Sequence, residues 1–138
     1  MKAKTVPVPL LTFLLVEDEP GTLELLTTIL VMKYPDCELF TATNGKSGLE
    51  LFNKHMPDIV ITDINMPEMS GMQMAGKIRE LKPNTQFIIL TGNSGKSVLN
   101  DTEKSELEFC RLIVKPVIFK DLFAAIEQFR DEIAQRTG

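Results

Sequence analysis

Five residues in this chain carry chemistry that packing alone does not ask for: Glu17, Asp18, Asp63, Thr91 and Lys115. Each ends or directly follows a run of branched apolar residues. Leu14-Leu15-Val16 precedes the first two acids, Ile59-Val60-Ile61-Thr62 precedes Asp63, Ile88-Ile89-Leu90 precedes Thr91, and Leu112-Ile113-Val114 precedes Lys115. Singly, each has an ordinary structural reading, because acids after a strand often cap the next helix, threonine often ends a strand and Lys-Pro is a common exit from a sheet. Together they are harder to explain, since two unit charges 4 Å apart repel by ~4 kcal/mol at the effective dielectric near a protein surface. A hard cation and the Lys115 ammonium remove that repulsion. The all-oxygen donor set suits Mg²⁺, with Mn²⁺ as a substitute, and disfavours Zn²⁺, because His55, Cys37 and Cys110 lie elsewhere in the sequence. His55 itself reads as an ordinary residue closing the second helical stretch.

Five short apolar runs, at 11–16, 38–42, 58–62, 86–91 and 111–114, alternate with longer segments of helical character. That alternation is the pattern of βα units around a parallel sheet. The first, third and fourth runs are apolar almost without a break, as central strands covered on both faces must be, and the other two are edge candidates. Helix starts are marked by Pro20, Asn44, Ser70 and Pro116. In the last helix Phe119, Leu122, Ile126, Phe129 and Ile133 form one apolar stripe that runs far enough to lead into a coiled-coil linker. The fourth helical stretch, near 94–108, has a poor stripe among many charges and is expected to be short or irregular.

Right-handed crossovers leave few arrangements of five βα units, and the doubly wound order 2-1-3-4-5 with five flanking helices is the common small solution. In such an open sheet, ligands bind beyond the carboxyl ends of the strands, where all five chemical residues fall. The same order sets Cys37 and Cys110 at opposite edges, roughly 19 Å apart at four strand spacings. Both are therefore expected to be free thiols with packing roles.

With 138 residues the chain fits one domain, expected to span 10–135 behind a tail at 1–9. Hydrophobic residues at 43% and charged residues at 25% exclude a disordered or membrane-embedded composition. A net charge of −4 gives no reason to expect direct nucleic-acid binding. Lys2 and Lys4 ahead of the apolar run from Val8 to Val16 imitate a signal peptide, but Pro7 and Pro9 interrupt the run, Glu17-Asp18-Glu19 stops it, and no small-residue cleavage site follows. No stretch approaches the ~20 apolar residues that span a bilayer, and the cytoplasm is the expected location.

The strings Leu-Leu-Val-Glu-Asp-Glu-Pro (14 to 20), Ile-Val-Ile-Thr-Asp-Ile-Asn-Met-Pro-Glu-Met-Ser-Gly (59 to 71), Ile-Leu-Thr-Gly (89 to 92) and Val-Lys-Pro (114 to 116) resemble the signature of response-regulator receiver domains of two-component signalling. They stand in that family's order and cover about 11 to 130. The resemblance implies a flavodoxin-like fold similar to the chemotaxis receiver. Asp63 would take a phosphoryl group from a histidine kinase or histidine phosphotransfer protein. Asp18, Glu17 and Asp63, with the main-chain carbonyl of Asn65, would hold Mg²⁺. Thr91 and Lys115 would meet the phosphoryl oxygens, and the Lys115-Pro116 bond would be cis. The resemblance further implies a switch that reaches an unidentified effector, or a phosphorylation-dependent homodimer, through the fourth helical stretch, the fifth strand and the last helix. It implies no enzymatic activity beyond the domain's own phosphorylation and dephosphorylation. Leu112, Gly92, Asn93 and Pro116 are the secondary positions, with Asn65 and Asn93 placed to set the rate of hydrolysis. Two departures stand out: Glu17 replaces the commoner aspartate, and Leu112 stands where such domains usually carry an aromatic ring, which puts the usual coupling to Thr91 in doubt.

Three rival readings start from the same residues. Gly92-Asn93-Ser94-Gly95-Lys96-Ser97 imitates a phosphate-binding loop, but a Walker A loop needs four residues between its glycines and this has two. An aspartyl phosphatase resembles its relatives in carrying a second acid two residues after the nucleophile, and that position is Asn65. A receiver-like module that binds partners without phosphorylation has no need of the intact acidic set.

Overall fold

The computed structural model describes residues 10–66, 68–92 and 110–137. Five parallel strands, β1 (Thr12–Val16), β2 (Glu38–Ala42), β3 (Ile59–Asp63), β4 (Gln86–Thr91) and β5 (Cys110–Val114), form one sheet in the order β2-β1-β3-β4-β5. Among the described residues four helices connect or follow them: α1 (Pro20–Lys33), α2 (Gly45–His55), α3 (Gly71–Leu81) and α4 (Phe119–Thr137). The helical stretch expected near 94–108 lies outside the described residues, so the expected five helices become four here.

Side chains alternate across a strand, and this sheet uses both faces. Leu11, Phe13, Leu15, Ile59, Ile61, Ile88 and Leu90 pack on α1 and α4 through Leu26, Leu30, Leu122 and Ile126. Leu14, Val16, Val60, Phe87 and Ile89 pack on α2 and α3 through Phe52, Met74 and Ile78. Fully burying a side chain of this kind contributes about 1.5–3 kcal/mol, so two such layers form a core without covalent staples. β1, β3 and β4 are buried almost throughout, whereas β2 and β5 each keep only one fully buried residue, as edge strands do.

Strand limits differ from the sequence expectation by one residue. β3 runs 59–63 instead of 58–62, because Asp63 still pairs with Leu90, while Asp58 is drawn away by Lys82 and by the Thr12 hydroxyl. β1 starts at Thr12 and β5 at Cys110. The free thiols behave as expected: Cys37 packs on one core layer and Cys110 on the other. The α4 stripe is used within the domain, with Phe129 and Ile133 buried in the α1-side core, which removes them as a coiled-coil seam.

Candidate functional site

The β1–α1 turn is built around two glutamates with different jobs. Glu19 caps α1, its carboxylate accepting the Gly21 N–H at 3.1 Å and the Thr22 N–H as well, and Gly21 leaves room for it to fold back. The capping role that an acid after a strand ordinarily plays therefore falls to Glu19 and leaves Glu17 and Asp18 for other work. Glu17 extends the ladder past β1, donating its N–H to the Ala42 carbonyl at 3.0 Å, and its side chain is fully buried. Its Oε2 accepts the Glu19 N–H at 3.0 Å. Asp18 next to it is exposed.

Asp63 closes β3, is 8% exposed, and lies under the β3–α3 loop, whose Asn65 donates its N–H to Asp63 Oδ1 at 3.3 Å. Lys115 follows β5, anchored by its N–H on the Thr91 carbonyl at 2.7 Å and followed by the cis Lys115-Pro116 bond. From there Nζ donates to Asp63 Oδ2 at 2.7 Å and to Glu17 Oε1 at 3.1 Å. Carboxylate oxygens of Glu17, Asp18 and Asp63 all lie within 4.8 Å of one another. The structure thus brings together four of the five residues singled out from the sequence. Thr91 ends the neighbouring strand β4, buried, one position beyond Leu90, which pairs with Asp63.

Two of the three clustered acids share one amine, and the electrostatics carry the mark of it. Burial pushes the Glu17 carboxyl above its usual range, with the Asp63 charge adding to the rise, against the Glu19 amide and Lys115, which pull it down. Burial alone would draw the Lys115 amine down, but its hydrogen bonds and charge contacts with Asp63 and Glu17 outweigh that, and the net shift is upward. An oxygen-only cluster with surplus negative charge is a place for a hard cation. His55 offers no competing nitrogen ligand, being stacked on Phe40 with ring centroids 3.9 Å apart.

The secondary positions do not gather as tightly. Asn65 is exposed, and Gly92 has open space where a side chain would stand. Leu112, paired with Ile89 in mid-strand, is 40% exposed. Pro116 lines a groove of about 200 Å³ with Thr22, Leu25, Lys115, Val117 and Phe119. Asn93 lies outside the described residues, as do Ser94 to Ser97 of the phosphate-loop imitation. Sequence reasoning missed one residue that shapes the site, Glu19, since glutamate is not a favoured helix cap.

A doubly wound 2-1-3-4-5 sheet with an acid cluster and a lysine at its carboxyl edge defines a flavodoxin-like class of site-bearing domain. Within that class, a family model for the response regulator receiver domain matches residues 13–127, and the chain belongs to that family, the signalling receivers of two-component pathways. The transcriptional regulatory protein GlrR of Escherichia coli (strain K12) is 33% identical over 124 residues, covering 90% of this chain and 27% of that protein. The chain therefore spans about a quarter of the length of that relative. A response regulator receiver domain protein from Clostridium thermocellum is 29% identical with a TM-score of 0.79, covering 91% of this chain and 98% of the other. The receiver domain of AraT from Geobacillus stearothermophilus matches with a TM-score of 0.81 over 94% of this chain at 24% identity, a likeness of fold. Among the described residues no helix is long and apolar enough to cross a membrane.

Proposed function

We propose that Asp63 is the phosphoacceptor of this receiver, within a functional unit at 10–135. An Asp63 carboxylate oxygen attacks the phosphorus of a phosphohistidine in line; the O–P bond forms, the P–N bond breaks and the imidazole leaves, giving an acyl phosphate. Glu17, Asp18, Asp63 and the Asn65 main-chain carbonyl would hold Mg²⁺, or Mn²⁺ in its place, which when bound supplies positive charge for the phosphoryl oxygens. Lys115 holds the carboxylate in place before transfer and turns to the new phosphoryl oxygens after it, with the Thr91 hydroxyl as a second contact. Asn65 and Asn93 are the positions proposed to set the rate of hydrolysis. The domain's only chemistry is on itself.

The donor is a histidine kinase or histidine phosphotransfer protein. It must pass α1 and the segment after β5 to reach Asp63, and that rim is apolar: Leu25, Ile118 and Phe119 are exposed there. The output reading is a shift between two arrangements of the surface around β5 and α4, where Leu112 and Val114 are exposed, felt by an effector or by a second copy of the chain. With Leu112 in the middle of β5, that shift proceeds without a ring rotating behind Thr91. The cytoplasm, where such donors work, is the proposed location.

The observation that carries this reading is the Lys115 amine bridging Asp63 and Glu17 inside the acid cluster. The test is intact mass after incubation with Mg²⁺ and a small phosphodonor. Wild type gains one phosphoryl group and Asp63→Asn gains none; equal labelling of both removes Asp63 from the role.

A further inference from the structure

The loop between β3 and α3, which carries Asn65, is closed at two places by contacts that leave no room for a side chain. At its exit Gly71 opens α3 and donates its N–H to the Ile64 carbonyl at 3.0 Å. A Cβ on Gly71 would stand 2.2 Å from the main-chain oxygen of Asp63 and 3.1 Å from its carbonyl carbon. Earlier in the loop, Met69 meets a second glycine from a different element: a Cβ on Gly45, the first residue of α2, would lie 2.6 Å from the Met69 carbonyl oxygen and 2.9 Å from Met69 Cβ. The nearest obstacle in each case is backbone, which cannot swing aside. Directly before Met69, Glu68 sits in the left-handed region at φ 71°, a conformation that persists in a non-glycine residue only where the surroundings over-determine it.

We propose that Gly45 and Gly71 are positioning residues for the acid cluster, pressing the β3–α3 loop onto the end of β3 so that the Asn65 backbone and the Asp63 carboxylate keep one geometry. The inference rests on the reading of Asp63 and Asn65 as cation ligands. Any side chain at Gly71 displaces either α3 or Asp63 itself; any at Gly45 displaces the loop from the other side. Both displacements reach Asn65, whose N–H already returns to Asp63 Oδ1. Gly76, in the same helix α3, has nothing within 4 Å of a built Cβ and is the internal control.

The experiment compares wild type with Gly45→Ala, Gly71→Ala, Met69→Gly and Gly76→Ala. Met69→Gly removes the Cβ against which Gly45 closes and adds no bulk, so it loosens the loop without a clash. Three quantities are read: melting temperature, the Mg²⁺ dissociation constant of the folded protein by calorimetry, and the Asn65 amide resonance in metal-free protein by NMR. Gly76→Ala is expected to keep wild-type affinity. Gly45→Ala and Met69→Gly are expected to weaken Mg²⁺ binding by about tenfold or more, the effect typical of groups that orient a metal's ligands, and to move the Asn65 resonance without metal. If Gly71→Ala does not fold, those two variants decide. A purely structural role lowers the melting temperature while leaving affinity and the Asn65 resonance within error of wild type, and that result overturns the proposal. Wild-type protein that binds no Mg²⁺ overturns the underlying reading and this inference with it, whereas binding shared equally by all variants overturns the inference alone.

Discussion

Each end of the sheet holds a lysine against an aspartate. At the amino ends of the strands Lys82 Nζ lies 2.8 Å from Asp58 Oδ1, its second bond goes to the Met56 carbonyl at 3.0 Å, and the other Asp58 oxygen takes the Thr12 hydroxyl at 3.2 Å. One acid meets one amine, and the charges balance. At the carboxyl ends Lys115 Nζ lies 2.7 Å from Asp63 Oδ2, but the same amine also serves Glu17, and Asp18 stands in the same cluster. Three acids against one amine leave two negative charges in excess when all are ionised. The first arrangement ties β1, β3 and the turn after α3 together. The second works against the stability of the empty domain, and a surplus of that kind points to a ligand that completes it.

The comparison is broken most directly by removing each lysine. Lys115→Met leaves Asp63 and buried Glu17 without their counter-charge. Breaking a buried pair in this way costs about 3–5 kcal/mol, and partial solvent access of the amine reduces the expected loss to about 2–3 kcal/mol by urea denaturation in EDTA. Mg²⁺ should restore part of that stability. Lys82→Met removes a pair with both side chains partly exposed, 22% and 32%, and is expected to cost about 1 kcal/mol. Mg²⁺ should restore none of it, and phosphorylation should be unchanged. Equal losses, or equal rescue, would show that the two ends do not differ as described.

A smaller effect sharpens the contrast because its sign is reversed. Asp18→Asn removes one like charge from the cluster, so the metal-free protein should gain about 0.5 kcal/mol. The same variant should lose the melting-temperature rise that Mg²⁺ gives wild type. Asp58→Asn, at the other end, should only destabilise. A metal-free Asp18→Asn protein that melts below wild type would remove repulsion from the account.

Most of the framework was readable from the chain because strands and the positions that follow them are local. Unbroken apolar runs marked β1, β3 and β4 as central, and broken ones marked β2 and β5 as edges; the four strand-end positions then followed from topology. What was not readable depends on long-range geometry. Nothing local says that Asp58 is held by Lys82 and Thr12, that Tyr34 donates to Glu127 at 2.7 Å, or that Gly45 and Gly71 close on the loop backbone. Ile133 shows the reverse failure: a helical stripe reveals that a face is apolar, not whether its own domain or a partner covers it.

The least of the expected effects concerns Glu17 and pH. Its carboxyl is raised above the ordinary 4.5, chiefly by burial, so on acidification the folded state takes up this proton before the unfolded chain does. Its contribution to stability is therefore whole below pH 4.5 and is lost as pH climbs through the raised value, the opposite of an aspartate held low by an ion pair. In EDTA, wild type should lose stability across that interval relative to Glu17→Gln, whose amide does not titrate. Urea midpoints for the two proteins at a series of pH values provide the check: their difference should change as pH rises above 4.5 and then level off. Lys115, raised above its ordinary 10.5, adds no slope there, since its contribution persists until the pH passes its own folded value. Curves that stay parallel from acid to neutral pH would mean that burial does not raise the Glu17 carboxyl and that Lys115 and the Glu19 amide already satisfy its charge.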